Sequence, residues 1–381
     1  MLGPQSPLFF IVLLVAFAAI VWWMAKVKHL ALRVLVALLA FIPAMLFGVA
    51  AVNKYYDYYQ TWGAAIADLT NQNIAAPVLP YAARAQSTRV DGFLAKASRN
   101  QQAAQTGLLV RLVVTGQASR ITRNVYVYLP PQYFQLAYRG YRFPAMELIP
   151  GFPGTPQDWI SVLNVDSVMQ GLVAAGSAKP AVLIMPDANG GHDVSLQCLN
   201  QARGPQDATY LGFDLPQYIA ATLRVAPPGP QWGIAGYSEG GFCAANLGLR
   251  YASRFGFAGS MSGYFRPMNN QLGNKLVSPF GGNLQQQVAN TPDHEVATLS
   301  PGATIPRFWL GAGTGDQAGV TGAEDFYRLL QPVERGAVIR LVPGGHNAFT
   351  WRQLMPPMLA WMSRGLAAAA SHSDNVHNPA A

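Results

Sequence analysis

The sequence predicts an α/β protein with a mostly parallel central sheet, preceded by two transmembrane helices. Over most of the chain, short apolar runs alternate with stretches long enough for crossover helices, which is typical of a parallel sheet with helices between its strands. Two long uncharged runs stand near the N-terminus. Charged residues make up only 12% of the 381 residues, against about 25% in soluble domains, so part of the chain is suited to lipid.

The two uncharged runs cover residues 7–25 and 34–53. Each is close to the ~20 residues that a helix needs to cross a bilayer. Residues 26–33 between them are basic, and basic short loops stay on the cytoplasmic side of a membrane. We therefore predict a plasma-membrane anchor over residues 1–53 that crosses twice and leaves both ends outside the cell. A cleaved leader, a single span and the reverse orientation are the alternatives.

Charge and cysteine content exclude several classes of partner. The net charge of +8 comes from scattered Lys and Arg residues rather than from runs, so we expect a mildly basic surface and no nucleic-acid binding. The two cysteines, Cys198 and Cys243, lack the spacing of a metal site, and no metal is expected. In an extracellular domain such a pair favours a disulfide, with two buried free thiols as the alternative.

Composition divides the rest of the chain into three parts. Residues 54–105 are rich in Tyr, Gln, Asn and Ala and are interpreted as a stem or linker that begins at the membrane interface. A folded domain is predicted over 106–365, and a disordered tail over 366–381. Within the domain, segment 264–304 is either a lid or a surface insertion. Strands are expected at 108–110, 112–114, 125–129, 145–149, 181–185, 232–235, 307–310 and 338–342.

The sharpest motif is Gly236-Tyr237-Ser238-Glu239-Gly240, which stands between an apolar run and a sequence that favours a helix. Small residues near Ser238 let the chain turn sharply from strand to helix and present the serine hydroxyl at the end of the strand. The context of a strand before and a helix after distinguishes this motif from a chance occurrence. We predict that Ser238 is a catalytic nucleophile.

A serine hydroxyl is a weak nucleophile and needs a general base, which follows the acid in the chain order Ser, acid, His. His346 is the best placed of the six histidines, because it directly follows the predicted strand 338–342 and precedes a predicted terminal helix. A structural loop histidine is the alternative reading. The other histidines lie in the membrane loop, before the elbow, in segment 264–304 or in the tail: His29, His192, His294, His372 and His377.

Asp316 is the predicted acid, because it closes a strand and a glycine-rich turn between the nucleophile and the base. Glu324 is the alternative acid, although its position in the following helix suits a solvent-facing residue better.

An oxyanion hole needs two backbone N–H groups, one of which comes from the residue after the nucleophile. Glu239 holds that position, and Phe152 is predicted to supply the second N–H because Pro153 has none. A plain turn is the alternative for this Pro/Gly loop.

Together these pieces resemble the esterase D-type branch of the α/β-hydrolase family, which includes the mycolyltransferase antigens of mycobacterial envelopes. The resemblance covers roughly residues 107–365. Two features differ from the mycolyltransferases: Pro150 stands where they carry an acidic residue, and they are secreted without two spans. The matching segments are Tyr128-Leu129-Pro130-Pro131, Pro150-Gly151-Phe152, Leu183-Ile184-Met185-Pro186, the elbow with Gly240-Gly241, Met261-Ser262-Gly263-Tyr264 and Gly344-Gly345-His346-Asn347.

The resemblance implies an α/β-hydrolase fold and a setting in the cell envelope. It gives the triad roles to Ser238, Asp316 and His346 and the oxyanion roles to Phe152 and Glu239. It also implies a bridge between a cysteine ahead of the elbow and one just after it, which corresponds to Cys198 and Cys243.

The sequence therefore predicts a membrane-anchored extracytoplasmic serine esterase that cleaves a lipid or cell-envelope ester through an acyl-serine intermediate. No metal or organic cofactor is required. An acyltransferase of the mycolyltransferase type, which moves the acyl group to an envelope sugar or lipid hydroxyl, is one alternative. A non-catalytic envelope-binding protein on the same fold is the alternative from another class.

Overall fold

The computed structural model describes residues 3–69, 92, 96–97, 101–191, 194–272 and 275–376. It divides into an N-terminal unit that contains two long apolar helices and a larger unit that contains the sheet. Most of the predicted stem, together with His192 and His377, lies outside the described residues.

The N-terminal unit consists mainly of two apolar helices, Pro7–Lys26 and Leu30–Tyr56, followed by a short helix, Trp62–Leu69. The first helix begins after Ser6, whose Oγ accepts a hydrogen bond from a backbone N–H of the first turn. The second helix begins earlier than the uncharged run suggested, because a single arginine near its start does not interrupt a helix. The same helix continues through Pro43. Both are long and apolar enough to cross a membrane.

The larger unit is built around an eight-stranded sheet. Its strands are β1 (Leu108–Thr115), β2 (Thr122–Leu129), β3 (Ala145–Ile149), β4 (Val182–Pro186), β5 (Gly229–Tyr237), β6 (Phe255–Met261), β9 (Arg307–Gly313) and β10 (Val338–Val342). A separate two-stranded hairpin consists of β7 (Asn270–Leu272) and β8 (Lys275–Val277).

The order across the large sheet is β1-β2-β4-β3-β5-β6-β9-β10. β1 and β2 pair antiparallel, β2 pairs antiparallel with β4, and the remaining neighbours pair in parallel. Every residue of β3 and β4 is buried, as expected for central parallel strands covered on both faces. The predicted α/β class with a mostly parallel sheet is confirmed.

Helices and short helical turns connect the strands of the sheet. Their bounds are Gln101–Thr106, Pro131–Phe134, Leu136–Tyr138, Asp158–Ser161, Val165–Ala174, Asp207–Thr209, Tyr210–Asp214, Leu215–Thr222, Glu239–Arg250, Leu284–Ala289, Pro292–Thr298, Gln317–Leu330 and Ala348–Val376.

One central strand, β6, was not predicted. Two glycines and a serine interrupt its apolar sequence, so the run does not meet the pattern of a strand. It forms because β5 and β9 pair with it on both sides. A Cβ atom at Gly259 would lie 2.6 Å from the sulfur of Met358, so the terminal helix packs closely against this glycine. The low strand propensity of these glycines therefore conflicts with the close packing of β6 against the terminal helix.

The terminal helix continues to Val376, so residues 366–376 are helical and the predicted disordered tail is wrong for them. The run Ala367–Ala370 explains the difference, because alanine has the highest helix propensity of all residues. The sequence reading gave more weight to the polar residues that follow. Residues 377–381 lie outside the described chain.

Glu147 places a carboxyl group in the interior of the sheet. It lies on β3, is fully buried, and neither carboxyl oxygen has a hydrogen-bond partner among the described residues. Burial raises its pKa well above the ordinary 4.5. The folded protein therefore binds this proton more tightly than the unfolded chain. The resulting stability is fully present below the ordinary pKa and is lost as the pH rises through the raised one.

We expect Glu147→Gln to weaken this pH dependence, because an amide of the same shape carries no titrating proton. The melting temperature of the wild type should fall relative to that of the variant between about pH 5 and about pH 8. Thermal unfolding of both proteins at the two pH values tests this, with Glu324→Gln on the surface as the control. Equal pH dependence in Glu147→Gln and the wild type would show that Glu147 does not contribute.

Candidate active site

Ser238 lies at the junction between β5 and the helix Glu239–Arg250, which we call the elbow helix. Its backbone has φ 55° and ψ −121°, a conformation that a residue with a side chain rarely adopts. The Ser238 N–H donates to the carbonyl oxygen of Met261 at 2.8 Å, which ties the turn to β6. The backbone is therefore strained and held in place from the neighbouring strand, as expected where a side chain must be presented for reaction.

Glycines on either side of Ser238 allow the close approach that this turn needs. A Cβ atom at Gly236 would lie 2.2 Å from the carbonyl oxygen of Gly240. A Cβ atom at Gly240 would lie 2.1 Å from the carbonyl oxygen of Ile149, at the end of β3. Both contacts are with backbone atoms, which cannot rotate away.

We expect Gly240→Ala to destabilise the larger unit by roughly 1–3 kcal/mol and to displace Ser238, because the added methyl group overlaps the end of β3. The melting temperature should fall by roughly 2–12 °C, with most of the activity lost. Gly171→Ala is the matched control, since a Cβ atom at Gly171 meets nothing within 4 Å. A Gly240→Ala variant with the wild-type melting temperature and activity would contradict the close approach.

The structure brings the three predicted triad side chains together from three separate strand ends. Ser238 follows β5, Asp316 follows β9, and His346 follows β10. The Nε2 atom of His346 lies 2.8 Å from the Ser238 Oγ, and its Nδ1 atom lies 2.7 Å from Oδ2 of Asp316. This is the geometry of a nucleophile next to a base that a carboxylate orients.

Asp316 is held in its charged form. Burial alone would raise its pKa, but hydrogen bonds from His346 and from the backbone N–H of Gly319 outweigh burial, and the pKa is lowered from 3.8. The Gly319 contact, at 3.1 Å, also caps the helix Gln317–Leu330. Glu324 is exposed on the same helix, whereas Asp316 occupies the position beside Nδ1 of His346.

The two candidate oxyanion donors also lie at the nucleophile. Phe152 borders the same cavity as Ser238, and a Cβ atom at its neighbour Gly151 would lie 3.0 Å from the Ser238 Cβ, so the loop after β3 approaches the serine closely. Glu239 is the first residue of the elbow helix, where backbone N–H groups have no acceptor within the helix. The positive end of the helix dipole adds to the attraction for a developing anion.

A cavity of about 330 Å³ opens beside Ser238. Tyr264 and residues 268–270, at the beginning of segment 264–304, contribute part of its wall. A lid and a surface insertion remain the two predictions for the segment as a whole. Phe152, Ser238 and Glu239 were predicted to belong to the site. Sequence reasoning missed the wall residues that stand outside any motif, which are Val194, Ser195, Gln197, Met268, Asn269 and Asn270. The cavity is lined by Phe152, Val194, Ser195, Gln197, Ser238, Glu239, Tyr264, Met268, Asn269 and Asn270.

A disulfide and a buried amide fasten this cavity wall. Cys198 and Cys243 form a disulfide, as predicted, which joins the loop after β4 to the elbow helix. The neighbouring Gln197 side chain donates to the carbonyl oxygen of Met268 at 2.8 Å and accepts from the Met268 N–H at 2.7 Å. Two loops that are distant in sequence are therefore held together next to Ser238.

The side chain of Glu239 forms part of the same wall. Its carboxyl group accepts hydrogen bonds from the Ser195 hydroxyl and, at 3.3 Å, from the Gln197 N–H. Burial raises its pKa to about 7, although both hydrogen bonds act in the opposite direction. An acidic side chain thus lies directly beside the candidate nucleophile.

The fold and the site define a serine hydrolase or acyltransferase of the α/β-hydrolase class. The family model described as putative esterase matches residues 117–362, which is most of the larger unit. The chain therefore belongs to the putative esterase family.

Relatives from actinobacteria match the sequence. An uncharacterized protein of Corynebacterium glutamicum is 25% identical over 87% of this chain and 76% of its own length. The MPT51/MPB51 antigen of Mycobacterium tuberculosis is 28% identical over 36% of this chain and 44% of the antigen. These matches agree with the resemblance to the mycolyltransferase antigens.

Solved structures share the fold of the larger unit. A ferulic acid esterase superposes with a TM-score of 0.59 at 20% identity, over 68% of this chain and 98% of the esterase. The M. tuberculosis MPT51 structure superposes with a TM-score of 0.52 at 21% identity, over 67% of this chain and 97% of that protein. The predicted α/β-hydrolase fold is confirmed.

Proposed function

We propose that this protein is a serine esterase that cleaves a carboxylic ester through an acyl-serine intermediate. The observation that carries the proposal is the continuous chain of contacts from the Ser238 Oγ through His346 to Asp316, beside a cavity that can admit an ester.

In the first half of the reaction, the Ser238 Oγ attacks the ester carbonyl carbon while Nε2 of His346 takes the hydroxyl proton. The carbonyl oxygen becomes an oxyanion that the N–H groups of Phe152 and Glu239 stabilise. Asp316 keeps the proton on Nδ1 and stabilises the imidazolium. The intermediate then collapses, the bond from carbonyl carbon to alcohol oxygen breaks, and His346 gives its proton to the departing alcohol.

In the second half, water attacks the acyl-serine and gives a proton to His346. The second tetrahedral intermediate releases the carboxylic acid, and the proton returns to the Ser238 Oγ. These steps use side chains and backbone N–H groups of the chain itself.

We further propose that the two N-terminal helices anchor the enzyme in the plasma membrane with its catalytic unit outside the cell. In the most apolar stretch of each helix, only 6% of the residues of Pro7–Lys26 and 17% of those of Leu30–Tyr56 are buried within the protein. This suits helices that face lipid rather than a protein core. The basic loop between them favours a cytoplasmic position, and the Cys198–Cys243 disulfide suits an oxidising compartment. A tethered site of this kind would act on lipid or cell-envelope esters.

Acyl transfer is the second candidate function, because the actinobacterial antigen resemblance and the Ser, Gln and Asn side chains in the cavity wall favour an acceptor hydroxyl. Both reactions share the acyl-serine and differ only in whether water or an alcohol attacks it. The full chain in detergent, given a fluorogenic short-chain ester with and without sugar or lipid alcohols, tests both. Free acid alone supports the esterase, a new ester supports the transferase, and no turnover by folded protein contradicts both and favours a non-catalytic binding protein.

A further inference from the structure

The cavity at Ser238 contains a charged group that the esterase reaction does not use. Among the described residues that line it, Glu239 is the one with a formally charged side chain. The reaction requires only the backbone N–H of this residue, so any side chain would serve for that purpose. The esterase reaction therefore does not account for the carboxyl group at this position.

The structure holds this carboxyl group in a fixed position. Glu239 is only 9% exposed, and the hydrogen bonds from Ser195 and Gln197 reach both of its oxygens. Gln197 is fixed in turn through Met268. Both groups that contact the carboxyl donate hydrogen bonds, which favours the ionised form because a carboxylate can only accept.

No cationic side chain pairs with Glu239 in the part of the chain that the structure describes. Its two partners are neutral, and Asp207 is the charged group that acts on it, in the unfavourable sense. Asp207 itself pairs with Arg123 at 2.6 Å. Burial and Asp207 together raise the pKa of Glu239 to about 7. A buried carboxylate without a cation is costly, and a positive group on the substrate would offset that cost.

We propose that the ester substrate carries an ammonium group and that the Glu239 carboxylate binds it. This inference rests on the proposed esterase function and names its substrate class. The ammonium group belongs either to the acyl part, as in an aminoacyl ester, or to the alcohol part, as in an amino-alcohol ester. Both present the same cation to Glu239.

The rest of the cavity suits such a group. Phe152 and Tyr264 provide aromatic side chains, which attract cations, and Asn269 and Asn270 provide neutral polar groups. The volume of about 330 Å³ is near the lower end of the ~300–1,000 Å³ range of ligand pockets, which favours a compact group over an enclosed long acyl chain.

Two matched pairs of esters test the proposal with the full chain in detergent at about pH 7.5, where an α-amino group is still largely protonated. The first pair is p-nitrophenyl alaninate and p-nitrophenyl isobutyrate, which differ in the acyl part. The second is acetylcholine and 3,3-dimethylbutyl acetate, which differ in the alcohol part. In one of the two pairs, we expect kcat/KM for the cationic ester to exceed that for its neutral counterpart at least tenfold. The pair that shows this preference tells whether the acyl part or the alcohol part of the substrate carries the ammonium group.

Glu239→Gln keeps the backbone N–H and the shape of the side chain but removes the charge. We expect it to reduce the ratio of cationic to neutral kcat/KM at least tenfold, whereas Glu324→Gln on the surface keeps the wild-type ratio. The ratio is the readout, because Glu239 also belongs to the oxyanion hole and the absolute rates of its variant are free to change.

Three outcomes would overturn the inference. Equal kcat/KM within both pairs, with the neutral esters turned over, would exclude ammonium recognition and leave the esterase function intact. A cation preference that survives Glu239→Gln would assign the recognition to another group. No turnover of any ester by folded wild-type protein would contradict the proposed esterase function itself.

Discussion

Ser238→Ala is expected to lower kcat for ester hydrolysis by about 10⁶-fold, because the variant has no atom that can form the acyl intermediate. His346→Ala should cost nearly as much, since the hydroxyl then has no base at the 2.8 Å position. The double variant should be no worse than either single one, because the two groups act as a unit. Steady-state hydrolysis of a fluorogenic ester gives all three rates.

Ser300→Ala is the matched control for the nucleophile, because Ser300 is exposed and lies outside the cavity lining. It should keep the wild-type rate. Melting temperatures of all the variants establish that they fold. A folded Ser238→Ala variant that retains more than about one hundredth of the wild-type rate would exclude Ser238 as the nucleophile.

Asp316→Asn is expected to lower kcat by about 10⁴-fold while the fold is kept. Asp316 accepts a hydrogen bond from Nδ1–H of His346. An amide at this position can instead donate a hydrogen bond to Nδ1, which stabilises the tautomer with the proton on Nε2. That tautomer has no free lone pair on Nε2 to take the serine proton. The lowered pKa of Asp316 has a further consequence. Because the pKa of Asp316 lies below the ordinary value of 3.8, the carboxyl group is ionised throughout the neutral pH range. Its protonation should therefore not limit the rate near neutral pH.

Glu324→Gln is the matched control for the acid, because Glu324 is the other acidic residue that the sequence offered for this role. It is exposed on the helix that Asp316 caps, and its variant should keep the wild-type rate. A large loss in Glu324→Gln, or a loss of less than about tenfold in Asp316→Asn, would contradict the assignment of the acid.

Local sequence patterns accounted for most of the fold. β3 and β10 have the bounds of the predicted apolar runs, because a short apolar run next to a turn leaves few alternatives to a strand. β6 was missed because its glycines have low strand propensity, and only the neighbours that pack against Gly259 explain them. Residues 366–376 were predicted to be disordered because of their polar residues, but they are helical. The alanines at the start of this stretch continue the terminal helix.

The candidate triad was predictable because each member follows a strand and carries its own local signal. Ser238 has flanking glycines, Asp316 follows a glycine-rich strand end, and His346 stands in a Gly-Gly loop. Other residues of the cavity wall, such as Gln197 and Met268, have no such signal. Gln197 contacts Met268 across 71 residues of sequence, so the role of its amide depends on long-range packing that a single sequence does not encode locally.

The most direct test of the account is the reaction of the full chain in detergent with a fluorophosphonate, followed by mass measurement of the modified peptide. We predict one phosphonyl group per chain, attached to Ser238. Labelling should be absent in Ser238→Ala and strongly reduced in His346→Ala, because the probe reacts only with an activated serine. Folded wild-type protein that takes up no label, or label that persists in Ser238→Ala, would contradict the assignment of a serine hydrolase centred on Ser238.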